Sequence, residues 1–154
     1  MDMQSDDTSR RKRALDAIAL CPPDRFDQLY EALSADMPCA QTLRGPEIGS
    51  VMLRGRIGGA GAAFNLGEAS VTRASVRLAD GTVGHSMLLG RHAERSTRAA
   101  HVDALWQTHA YREAVEARLI DPAIDARRAL VRNERSEAEA TRVDFFTMVR
   151  GDDE

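Results

Sequence analysis

The residue types able to do chemistry in this chain are four histidines, two cysteines and a basic set that is all arginine except Lys12. His85, His92, His101 and His109 never stand at the i, i+4 spacing of a helical metal site, and neither Cys21, Cys39 nor a carboxylate completes a ligand set around them. No metal site is expected. The glycines of Gly55-x-x-Gly58-Gly59-x-Gly61 invite a phosphate-loop reading, because bare backbone N–H groups can cradle an anion. No Lys-Ser/Thr follows them, and neither a helix opening nor a ribose-binding acid is spaced for a dinucleotide, so a structural turn is the expectation. No Ser-His-Asp arrangement surrounds a sharp turn, and Asp152-Asp153 falls in what reads as an exposed tail. The chain is expected to hold no catalytic residue of its own.

The arginines offer more. Arg54 and Arg56 fall on one strand-like segment, Arg73 and Arg77 on another, and Arg91 stands where strand gives way to helix. If the strands share orientation, these five line one sheet surface that can hold a polyphosphate through bidentate, charge-assisted hydrogen bonds. Together with His85 they are the candidate substrate- or phosphate-binding residues. The competing reading is a solvated face paired with Glu47, Glu68 or a neighbouring subunit's acids.

These side chains must be positioned by a hairpin. Asp80-Gly81 separates two alternating runs, and a two-residue type I′ turn there needs φ > 0 at both positions. Counting outward, Leu78 faces Val83, Val76 faces His85, Ala74 faces Met87 and Thr72 faces Leu89. That predicts one apolar face containing His85, with Arg73, Ser75 and Arg77 on the other side. Strand-like segments also fall at 40–44 and 49–57, broken at Gly45-Pro46.

Around this sheet the period is helical. Residues 1–8 are expected to be disordered, and a first helix runs from Ser9, its N-cap, to Leu20. Pro22-Pro23 ends it and opens a second, in which Phe26, Leu29, Tyr30, Leu33 and Met37 form a buried stripe up to Pro38. After the sheet, Ala99, Val102, Leu105 and Trp106 mark a helix over 92–110. Asp121-Pro122 restarts a last helix, 122–142, whose face from Ile124 reads Arg128, Val131, Arg135, Ala138 and Arg142. So polar a helix is solvated or held by another chain. The expectation is one α+β domain over 1–154. Its small antiparallel sheet (40–90) is flanked by N-terminal helices (9–37) and C-terminal helices (92–142), with an extended tail at 143–154.

Composition sets the outer limits. Hydrophobic residues make up 43% and charged residues 29%, the balance of a globular protein. A formal net charge of −3 with only 5% aromatics argues against nucleic acid as a partner. With no signal peptide, no apolar run near membrane-spanning length and only two cysteines, a cytoplasmic protein without a membrane partner is expected. The tail sets Phe145, Phe146, Met148, Val149 and Arg150 where most chains fray. It either packs home or docks on a partner, and docking is expected because the polar helix before it leads away.

Three blocks carry a resemblance: GRIGGAGAAFNLGEASVTRASVRLADGTVGHSMLLGR at 55–91, VDALWQ at 102–107 and TRVDFFTMVRGD at 141–152. In order and spacing they resemble the PhnG family, the G subunit of the bacterial carbon–phosphorus lyase core complex. The resemblance covers roughly the whole chain and is weakest in 1–45. Arg73 and Arg91 are retained, while His92-Ala93, Ser96-Thr97 and Ala74-Ser75 depart from the pattern. It implies a hetero-oligomer with PhnH, PhnI and PhnJ. There a phosphonate displaces adenine from ATP at the anomeric carbon, giving ribose 1-methylphosphonate 5-triphosphate. It further implies that the catalytic residues lie on PhnI and PhnJ, so this subunit is a non-catalytic scaffold. No cofactor is expected on this chain, with ATP a substrate of the complex. The alternative is an autonomous ATP- or phosphonate-processing enzyme that uses the arginine-lined surface with His85 as base.

Overall fold

A computed structural model describes residues 3–59 and 61–142 of the chain. Helices α1 (Met3–Leu20) and α2 (Pro23–Ser34) precede a three-stranded sheet of β1 (Gln41–Arg56), β2 (Ala63–Arg77) and β3 (Val83–Leu89). Helices α3 (Ala93–Gln107), α4 (His109–Val115) and α5 (Asp121–Ala140) follow, the last two joined by a π-helical turn at Glu116–Ile120. The strands are ordered β1-β2-β3 and antiparallel throughout. The α+β architecture is the one expected from the sequence, and its tail at 143–154 lies outside the described residues.

Prolines set the first boundary. Pro22 is extended (φ −53°, ψ 137°), as the residue before a proline must be, and Pro23 opens α2. Phe26, Leu29 and Leu33 of the expected stripe are buried, with Tyr30 and Met37 packed at its margin. Helix α1 begins at Met3 rather than at Ser9. The supposed frayed lead is helical from residue 3, and within it Asp7 is held by Arg112 at 2.8 Å, a partner 105 positions away that local signals do not disclose.

The sheet corrects two further expectations. β1 is one strand through Gly45-Pro46, because shifts in register between Thr42 and Glu47 absorb the proline on an edge strand, where its missing N–H costs no ladder bond. The hairpin turn is one residue longer than two. Leu78 N–H donates to Thr82 O at 2.9 Å around Ala79-Asp80-Gly81, and of these only Gly81 has positive φ, at 92°. Asp80 instead accepts the Thr82 N–H at 2.8 Å. A single left-handed residue after a turn makes a three-residue loop, not a type I′ pair.

That extra residue slips the ladder by one and reverses β3. Ser75 pairs with His85, Arg73 with Met87, Ala74 with Ser86 and Thr72 with Leu88. The inward face of β2, Ala74 and Val76, stands as expected, but β3 turns Leu88 inward and leaves His85, Met87 and Leu89 exposed.

The core lies between that inward face and the helices. Gly84 faces α3 so closely that a Cβ there would collide with Ala100 O and with the backbone of Ala104. The small side chains of Ala99, Ala100 and Ala104 permit the approach, and Leu105, Trp106, Leu119 and Ile120 fill the space beyond. Asp121-Pro122 does not restart the helix. Chain remains helical through it, and the wider π turn accommodates a proline that lacks an N–H.

Candidate functional site

The five arginines are not gathered on one surface. Arg73 and Arg77 lie on the solvent face of β2, where Arg73 meets Glu47 at 3.1 Å and Glu47 also holds Arg44 at 2.8 Å. The two arginines hold the Glu47 carboxyl below its ordinary range, Arg44 contributing the larger share. β1 shifts register again between Leu53 and Arg54 and runs on past the end of β3, so Arg54 and Arg56 lie far along the strand from Arg73 and Arg77. Arg56 donates to Gly61 O at 3.2 Å. Arg91 stands at the corner after β3, fixed by Thr72, whose hydroxyl donates to Gly90 O at 2.7 Å and accepts the His92 N–H at 3.0 Å.

His85 lies on the same solvent face as Arg73 and Arg77, with Nδ1 2.8 Å from Ser75 Oγ. Among the described residues no carboxylate reaches the ring, so this Ser–His contact lacks the orienting third member that activates a nucleophile. Nor do the described residues hold any cluster of three potential metal ligands. The proposed interface residues Phe145, Phe146, Met148, Val149 and Arg150 lie outside the described residues. From Arg132 to Arg142 every residue is exposed, as a polar last helix that is either solvated or held by another chain requires.

Buried and half-buried polar groups hold the body together. Asp103, buried at 2% exposure, accepts Arg11 Nε and Nη2 at 3.0 and 2.8 Å, the His85 backbone N–H at 2.8 Å and Gln107 Nε2 at 3.2 Å. His101 is buried between Tyr30 and Pro38. Because the Pro38 carbonyl can only accept, Nε2 carries the proton and donates at 2.8 Å, leaving Nδ1 to accept the Tyr30 hydroxyl at 2.9 Å. Burial pushes this imidazole's pKa down, against a smaller upward pull from the carbonyl. Further arginines are struts: Arg95 crosses Phe26 and donates to Ile18 O and Cys21 O at the end of α1, and Arg112 covers Trp106 at 4.3 Å. Arginine enrichment is thus partly structural.

The other unusual surface is a β ribbon. β3 pairs with β2 only from Val71 to Arg77, so residues 50–56 and 63–70 continue as two strands alone, and a short 3-10 turn at Ile57–Gly59 follows β1. Met52, Leu53, Phe64 and Leu66 are exposed there, and so are Ile48 at its root and Ile57 in the turn beyond β1. The only signal in the sequence was apolar residues on both faces of a glycine-rich pair of strands.

The family model described as phosphonate metabolism protein PhnG matches residues 9–151. The chain belongs to the PhnG family. A relative from Rhizobium meliloti (strain 1021), alpha-D-ribose 1-methylphosphonate 5-triphosphate synthase subunit PhnG, is 46% identical over 152 residues, covering 97% of this chain and 96% of the relative. In this member of the PhnG family the first sequence block, 55–91, runs from the ribbon through β2 and β3 to the Arg91 corner. The second, 102–107, is the buried end of α3. Of the third, 141–152, only Thr141 and Arg142 are described.

Proposed function

We propose that this chain is a structural subunit of an assembly that makes ribose 1-methylphosphonate 5-triphosphate from ATP and methylphosphonate. In that reaction a phosphonate oxygen bonds to the anomeric carbon, the N-glycosidic bond breaks, and adenine leaves with the bonding pair and takes up a proton. The partners in this reading are PhnH-, PhnI- and PhnJ-type subunits in the cytoplasm, and they supply the catalytic groups. The single observation that carries it is 46% identity to a synthase subunit along essentially the whole of both chains. The scattered arginines and the incomplete Ser75–His85 contact fit a subunit that lends surface rather than a nucleophile. Arg54, Arg77 and Arg91 remain candidates to meet a triphosphate or a partner's acids.

One observation favours the rival enzyme: His85, Ser75, Arg73 and Arg77 do share a solvent face. Adenine release decides between the two. The purified chain, its three partners without it, and all four co-expressed are each incubated with ATP and methylphosphonate. The subunit reading expects release only from the full set. Release by the chain alone that disappears in His85→Ala would install the enzyme instead, and undiminished release without this chain would remove it from the reaction.

A further inference from the structure

The ribbon is exposed where a soluble chain has least reason to expose apolar residues. On the two-stranded extension Leu66 is 66% exposed and Met52 54%, with Ile57 78% exposed in the turn that follows β1 and Ile48 52% exposed at the root. A two-stranded hairpin standing alone is marginally stable in water, and contiguous exposed apolar side chains mark interaction surfaces.

The two outer edges of the sheet are treated differently. On β3 the outward groups are closed by side chains of α3: Gln107 Nε2 donates to Val83 O at 2.9 Å, and Asp103 accepts the His85 N–H at 2.8 Å. On β1 the stretch Ile48-Gly49-Ser50-Val51-Met52-Leu53 has no partner strand on its outer side among the described residues. It contains no charge and no proline, the usual devices that keep a strand edge from pairing. Such devices flank it instead, Pro46 and Glu47 before and Arg54 and Arg56 after.

We propose that the ribbon of residues 50–56 and 63–70, with the β1 edge leading into it from Ile48, is a docking arm for an unlike protein subunit. That subunit lays an extended, apolar segment along the β1 edge and sets carboxylates against Arg54 and Arg56. This rests on the subunit reading above and names the surface that serves it. Charge selects an unlike partner over a second copy. Antiparallel pairing of the edge with itself about Val51 sets Arg54 against Ile48 and Arg56 against Pro46, neither of which can receive a guanidinium. The nearest acid on that edge, Glu47, already holds Arg44 and Arg73.

The test co-expresses the full-length chain with its three proposed partners and measures assembly by size-exclusion chromatography, with hydrogen exchange over 48–70 in the free and assembled chain. Met52→Lys and Leu66→Ser are introduced singly, and Met52→Leu serves as the conservative control. Both altered side chains are exposed, so the free variants should melt with the wild type. Association should weaken at least tenfold in Met52→Lys and Leu66→Ser and survive in Met52→Leu, with exchange over 48–53 slowing on assembly of the wild type. Wild-type assembly by both variants, with unchanged exchange, overturns the docking arm and leaves the subunit reading standing. Failure of the wild type to assemble overturns both. The arm is also overturned if the free chain dimerises through 48–53, or if removal of 143–154 speeds exchange there in the free chain, since then its occupant is a second copy or the chain's own end.

Discussion

β2 belongs to two regions that differ in everything but their continuity. From Thr72 to Val76 its inward side chains are sealed beneath α3, and Gly84 opposite leaves no room for a methyl group. From Ala63 to Ser70 the same strand carries Phe64 and Leu66 into solvent. Apolar residues occur in both stretches, so hydrophobicity alone does not separate the part that holds this chain together from the part it offers outward. What separates them is whether a helix and a third strand reach that far.

That contrast predicts a steep gradient of mutational cost. Trp106→Ala, deep in the body, should cost about 3–5 kcal/mol in a denaturant melt, because it opens a cavity and removes the anvil beneath Arg112. Gly84→Val should cost about 3 kcal/mol, since the new atoms meet helix backbone rather than a movable side chain. Asp103→Asn should cost about 1–3 kcal/mol; Arg11 is 35% exposed, so water takes over part of what the carboxylate provided. A smaller and pH-dependent effect falls on His101. Burial lowers its folded pKa below the 6.5 of the open chain, so the unfolded state takes the proton first as pH falls. The stability from keeping this ring neutral is full above that value and drains away below it. Wild type should therefore lose more melting temperature than His101→Gln between about pH 7.5 and about pH 5.5. Leu66→Ser, on the ribbon, should stay within about 0.5 kcal/mol of wild type. A large loss there would erase the distinction between the two regions.

Legibility in the sequence followed the range of the forces involved. The α2 stripe and the inward face of β2 were readable because periodicity is local and each residue's neighbours declare its side. The facing of β3 was not, because it turned on whether Asp80 as well as Gly81 adopts positive φ, and a hydrogen bond from Thr82 N–H to the Asp80 side chain gave the simpler turn. Asp103 was invisible as a hub because its arginine lies 92 positions away. The arginine array depended on strand length: a β1 of 16 residues, with a shift in register at Leu53 and Arg54, carries Arg54 and Arg56 past the end of β3. For the same reason the ribbon read as ordinary sheet, since nothing nearby in sequence says how far the covering helix extends.

The π turn at Glu116–Ile120 acts as a rudder. It amounts to one residue more than regular coiling requires, and each α-helical residue advances by about 100°. Excising one position there would roll Ala123 and Ile124 away from the core and bring other side chains of α5 against it. Which flank of that charged spoke meets the body is thus decided by a single peptide unit, some dozen positions before the spoke leaves it.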